Sequence, residues 1–111
     1  MKLYFYFIEF RLLESGETEH FLLRKEMEAR ETPKLYLPAQ DIAFPCYLTR
    51  LPKERVDAGI SDGFLILTKP DEEAARALWK QHYEKNADTL TRRAEECRKM
   101  AEANRKIAAN L

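Results

Sequence analysis

Few residues in this chain could act as nucleophile or base. Its histidines are His20 and His82 and its cysteines Cys46 and Cys97. Cys46 or Ser61 set against His82 would make a nucleophile–base pair, but no spacing in the sequence supports one. His82 lies on the apolar stripe of a helix, where a histidine is more often a satisfied boundary residue than a base. No P-loop, GxGxxG, HExxH or GxSxG occurs. The cysteines form no CxxC pair, which points to two ordinary thiols in a reducing compartment and to neither a metal site nor a disulfide. The carboxylates Asp71, Glu72 and Glu73 are explained by a helix start. The chain is expected to be no enzyme and to carry no cofactor and no metal.

Cations offer more. In "CYLTRLPKERVDAG", Arg50 projects from a strand, and Lys53, Arg55 and Asp57 follow on a turn, where a rigid scaffold often places binding residues. Arg50 and Arg55 could hold a small anion bidentately; the competing reading is a surface loop with ordinary charges. In the C-terminal stretch, Arg92, Lys99 and Lys106 recur every seven residues, with Arg93, Arg98 and Arg105 beside them. Glu95 stands four before Lys99 and Glu102 four before Lys106, the favourable order for solvated pairs on a helix, so the stripe reads as a wet face rather than a phosphate track.

Total charge supports that choice. Lys and Arg number 19, and Asp and Glu also number 19. A balanced chain argues against general nucleic-acid binding, which needs a basic excess.

The elements that must position these residues begin with "MKLYFYFIEFRLL". Period-two apolarity with aromatic enrichment predicts a strand over 2–13. Tyr4, Tyr6, Ile8, Phe10 and Leu12 share one face; Leu3, Phe5 and Phe7 share the other, which turns polar at Glu9 and Arg11. The first half, apolar on both faces, should be central in a sheet or lie beneath another element. "ESGE" is a hairpin turn with Gly16 free to take positive φ. A second strand follows over about 19–29 with Phe21, Leu23, Met27 and Ala29 inward. "KLYL" between Pro33 and Pro38 predicts an edge strand, "CYLTRL" a fourth strand, and "FLILT" an internal fifth. Glu9 and Arg11 interrupt the opening apolar run, which is too short for a membrane span. A cytoplasmic protein with no membrane association is expected.

From "TKPDEEA" a helix runs to the end. Thr68 or Lys69 is expected to cap it, with Pro70 in the first turn. Ala75, Leu78, Trp79, His82 and Tyr83 make a stripe that packs on a sheet. Then Ala87, Leu90, Ala94, Cys97, Ala101, Asn104, Ala108 and Leu111 follow at alternating spacings of three and four, a heptad seam of mostly small knobs. A helix of about 41 residues would span about 60 Å, whereas the β domain should be only about 25–30 Å across. The distal seam must therefore meet another chain or fold back as a hairpin near Asn86–Thr89. No Gly or Pro forces a break there, so a continuous helix and a homo-oligomer of at least two chains are expected. The expected architecture is α+β: a four- to five-stranded antiparallel sheet or small open barrel over 1–69, then one long C-terminal helix over 70–111 as the oligomerisation element.

Over roughly residues 1–80 the phrases "MKLYFYFIEF", "ETPKLYLP", "FPCYLTRLPKE" and "LILTKPDEEAARALW" resemble small proteins of phages and prophages of Gram-positive bacteria. The layout of antiparallel sheet and assembling helix is similar to that of the Thoeris anti-defence sponge family. That resemblance implies a non-enzymatic protein that sequesters a cyclic nucleotide-derived immune signal. Such a ligand needs cations for phosphates and aromatic faces for bases. Arg50 and Arg55 with Tyr47, Trp79 or Tyr83 are the nearest supply. The alternative expectation is a protein–protein adaptor of phage origin with no small-molecule ligand.

Overall fold

A computed structural model describes residues Met1–Leu111. The chain is α+β: a curled antiparallel sheet followed by one long C-terminal helix. The strands are β1 (Lys2–Leu12), β2 (Thr18–Glu31), β3 (Leu35–Pro38), β4 (Leu51–Pro52), β5 (Ile60–Ser61) and β6 (Phe64–Leu67), and the helix is α1 (Glu72–Ala109). They lie in the order β4-β3-β2-β1-β6-β5. By contact the chain divides into two compact units, Met1–Leu78 and Trp79–Leu111, so the first two turns of α1 belong with the sheet.

In the first unit, β1 is sandwiched as its two apolar faces require. Leu3 and Phe5 join Ala29, Tyr36, Phe44, Leu51, Val56 and Ile66 in one buried cluster. Tyr6 joins Leu65 and Ala75 in another, with Tyr4, Leu22, Ile60 and Leu67 packed against it. The first cluster is roofed by the loop after β3, whose Phe44 packs tilted against Phe5 at 5.6 Å between ring centroids. The second is roofed by the opening turns of α1, which supply Ala75.

Three details depart from the sequence-based expectations. The sheet has six strands, not four or five, because Asp62 and Gly63 both take positive φ (51° and 83°). That is the two-residue turn that matches strand twist, so Ile60–Ser61 doubles back on Phe64–Leu65 as an extra strand. The "CYLTRL" segment is not a strand: Tyr47 sits at φ 65°, and only Leu51–Pro52 pairs, with Leu35 and Tyr36. That pairing also moves "KLYL" off the edge, leaving β3 second in the sheet. β6 is internal, between β1 and β5.

The helix cap falls at Asp71, not Thr68 or Lys69. Asp71 Oδ1 accepts the Ala74 amide at 3.0 Å, and the Tyr6 hydroxyl accepts the Asp71 amide at 3.0 Å. Thr68 is otherwise engaged, its amide and hydroxyl donating to the Asp57 carboxylate at 3.1 and 2.8 Å. Glu72 and Glu73 then meet the positive end of the helix dipole.

The second unit is helical from Trp79 onward, unbroken to Ala109. Trp79 stacks on Tyr83 at 5.8 Å and meets His82 edge-on at 5.3 Å. No helix is long and apolar enough to cross a membrane.

Candidate functional site

The concavity that gathers cations lies wholly in the first unit. It is open, with a volume of about 530 Å³, and its lining includes Arg30, Leu37, Pro38, Asp41, Ile42 and Arg50. The register of β2 on β3 sets Arg30 opposite Leu37. Strand alternation buries Ala29 and turns Arg30 outward. Arg50 is exposed in the bend just before β4, beside the fully buried Leu51.

The wall between them is the 39–43 segment, tied at both ends. The Ala39 amide donates to the Glu28 carbonyl at 3.1 Å, and the Phe44 amide donates to the Leu48 carbonyl at 2.9 Å. Phe44 itself is 1% exposed, so the loop hangs on a buried anchor. A turn in which the Tyr47 amide donates to the Phe44 carbonyl at 2.8 Å reverses the chain toward Arg50.

Neither Arg30 nor Arg50 makes an ion pair. Two free guanidinium groups face one carboxylate, that of Asp41, leaving the lining one positive charge in surplus. Each guanidinium can grip an oxyanion with paired N–H donors. Asp41 can accept from a hydroxyl or an amine. Leu37, Pro38 and Ile42 offer apolar surface for a ring. The arrangement offers an oxyanion, a hydroxyl or amine, and a ring each a group that can hold it.

Of the residues expected to bind a ligand, Arg50 lines this concavity. Arg55 does not; its Nη2 lies 3.2 Å from Asp62 Oδ2, with its side chain largely buried. Tyr47 is 86% exposed on its turn, outside the lining. Trp79 and Tyr83 stack on each other within the helix. Arg30 was missed by sequence reasoning, although a signal existed. With Phe21, Leu23, Met27 and Ala29 inward, strand alternation turns the next position outward, and that position is Arg30.

On the helix, Ala87, Leu90, Ala94, Cys97, Asn104 and Ala108 are exposed and Ala101 is half-buried. Met100 and Ile107 are exposed as well, three residues after Cys97 and Asn104, and they widen the same apolar stripe. Arg98 lies along its flank, paired to Glu102 at 2.8 Å and to Glu95 at 3.4 Å.

No protein-family model, curated protein or solved structure matches this chain.

Proposed function

We propose that this protein is a non-enzymatic binding protein whose Arg30–Arg50 concavity takes a phosphate-bearing small molecule of the cyclic nucleotide class. In its sharpest form the proposal is a phage-type sponge that holds a nucleotide-derived immune signal without cleaving it. The observation that carries it is the pair of arginines, free of ion pairs, on the wall of a concavity of about 530 Å³. A concavity of that volume accommodates a small organic ligand. Phosphate oxygens would take the guanidinium groups, ribose hydroxyls or a base amine would take Asp41, and the base would lie on Leu37, Pro38 and Ile42.

Calorimetry and thermal shift against cyclic ADP-ribose isomers and cyclic di- and trinucleotides test this. At least one should bind at submicromolar affinity and be recovered intact after denaturation. Arg30→Ala and Arg50→Ala should each weaken it about tenfold or more, as expected for loss of a charged hydrogen-bonding group. Absence of binding across the panel refutes the sponge.

The second reading is a protein–protein adaptor, and the exposed stripe Leu90–Met100–Ile107 favours it. On either reading we propose that the seam through Ala94 and Ala101 joins copies of this chain. Its small residues let a partner helix approach closely, and Met100 and Ile107 add apolar area beside them.

A further inference from the structure

The β1–β2 hairpin outruns the rest of the sheet. β1 pairs with β2 along its whole length, from Lys2 to Leu12, but β6 covers only Tyr4 to Tyr6 on its other side. Beyond Tyr6 that side of β1 is an open edge. Its polar groups can be assigned. The Leu13 amide donates to the Glu17 carbonyl, and the Ala29 amide donates to the Met1 carbonyl. Odd-numbered residues of β1 therefore turn their N–H and C=O toward β2, and even-numbered ones turn theirs away. Tyr4 and Tyr6 spend theirs on β6. Those of Ile8, Phe10 and Leu12 point off the sheet with no backbone partner.

The side chains of this free stretch are exposed where a soluble domain would hide them. Phe10 is 58% exposed and Leu12 is 74% exposed. No proline or glycine guards the edge. Glu9 and Arg11, on the opposite face, have no ion-pair partner in the chain. Arg11 lies over the Phe21 ring at 5.7 Å.

We infer that a second copy of this chain adds to this edge as an antiparallel strand, with the two-fold axis at Phe10. Backbone polarity and charge single out this register. Even residues must oppose even residues for their N–H and C=O groups to meet. Pairing Ile8 with Phe10 of the other copy would set Glu9 against Glu9. Pairing Phe10 with Leu12 would set Arg11 against Arg11. Centring on Ile8 would set Glu9 and Arg11 against Phe7 and Phe5, and centring on Leu12 would set Arg11 against Leu13 and Glu9 against Ser15 of the turn, so neither pairs the charges. Centring on Phe10 sets Glu9 against Arg11 and Arg11 against Glu9, one ion pair on each side of the axis.

The same register opposes Phe10 to Phe10 and Ile8 to Leu12, so the exposed apolar face becomes a continuous ladder. Three opposed pairs, each exchanging two hydrogen bonds, satisfy every free backbone group of Ile8, Phe10 and Leu12. The complementarity belongs to the chain's own sequence, which is what a two-fold contact demands. An extended segment of another protein has no reason to repeat it.

Disulfide trapping in the full-length chain tests the register, in a Cys46→Ser, Cys97→Ser background. Phe10→Cys places two sulfurs across the axis, at Cα positions about 5.5 Å apart, within disulfide range. Leu12→Cys places them roughly 13 Å apart, beyond it. Phe10→Cys should therefore form covalent dimers at least tenfold faster under mild oxidation. Adding Glu9→Lys should slow its cross-linking about tenfold, since a like-charge pair replaces an opposite one twice over. Adding Arg11→Glu to that variant should restore the rate. Glu9, Phe10, Arg11, Leu12 and Cys97 are exposed and Cys46 is half-buried, and circular dichroism confirms that the background and each variant are folded. Equal rates for Phe10→Cys and Leu12→Cys, or no rescue by the charge swap, would overturn the inference. Capture of a foreign strand with no self-cross-link would overturn it too.

Discussion

Phe44 holds the wall of the Arg30–Arg50 concavity onto the sheet, and Phe44→Ala measures how firmly. The side chain is 1% exposed and lies 5.6 Å from Phe5, centroid to centroid. A buried phenyl ring removes about 150–200 Å² from water, worth about 4–5 kcal/mol at ~25 cal/mol per Å². Partial burial in the unfolded chain lowers this, and large-to-small core changes of this type cost about 3–5 kcal/mol. With a urea slope of roughly 1.5 kcal/mol/M, the midpoint should fall by about 2–3 M. β1 amide intensities in NMR spectra recorded across a urea series report the first unit without admixture from the long helix. Phe44→Leu, which keeps much of the volume, should cost about 1–2 kcal/mol. The alanine variant should also lose the anion affinity of the concavity, because Arg50 is placed through the same loop. A cost under about 1 kcal/mol, or unchanged binding, would refute Phe44 as the clamp.

Asp71→Ala removes the helix cap and should cost about 1 kcal/mol, lowering Tm by roughly 3–6 °C in calorimetry. Tyr6→Phe leaves the partly buried Asp71 amide without an acceptor and should cost about 1–2 kcal/mol by the same assay. Ala94→Glu with Ala101→Glu should leave the fold of the isolated chain within about 0.5 kcal/mol of the original. The unmutated protein should sediment heavier than a monomer at micromolar concentration, and this variant should lose the helix-borne part of that mass.

What the sequence disclosed and what it concealed follow from the range of the interactions involved. The apolarity of β1 on both faces called for a strand central in the sheet or beneath another element, and β1 is both: it lies between β2 and β6, with Phe44 packed on one face and Ala75 on the other. The long helix was legible because nothing between Asp71 and Leu111 breaks it. The two-residue strand at Leu51–Pro52 was not, since two residues carry no periodicity and its pairing with Leu35 and Tyr36 is a distant contact. The cap at Asp71 was hidden for a similar reason: Thr68 looked equally able until Asp57, eleven residues earlier, took its hydroxyl and amide. Arg50 was visible as a projecting cation, but its neighbour Arg30 is brought close only by the return of β3 along β2. Met100 and Ile107 were concealed by a seam traced through the small residues alone, although both stand three residues beyond a seam position.

Symmetry decides what the two proposed contacts can build together. A single two-fold interface uses the same patch on both copies and stops at a dimer. Two different two-fold interfaces on one chain cannot both be satisfied in a dimer whose axes differ. They close at four copies when the axes intersect at right angles, close at six or more when they intersect at a smaller whole fraction of a half-turn, and otherwise run on as an open chain. Breaking the β1 edge with Glu9→Lys should leave dimers held by the helix seam. Breaking the seam with Ala94→Glu and Ala101→Glu should leave dimers held by the β1 edge. Only the combined variant should be monomeric. The concavity's lining runs from Arg30 to Arg50 and shares no residue with either contact. Its ligand affinity per chain should therefore be the same in all three variants. A shift in that affinity on loss of one interface would mean that the ligand binds the assembly differently from the single chain, and linkage then requires the ligand to shift the assembly in return.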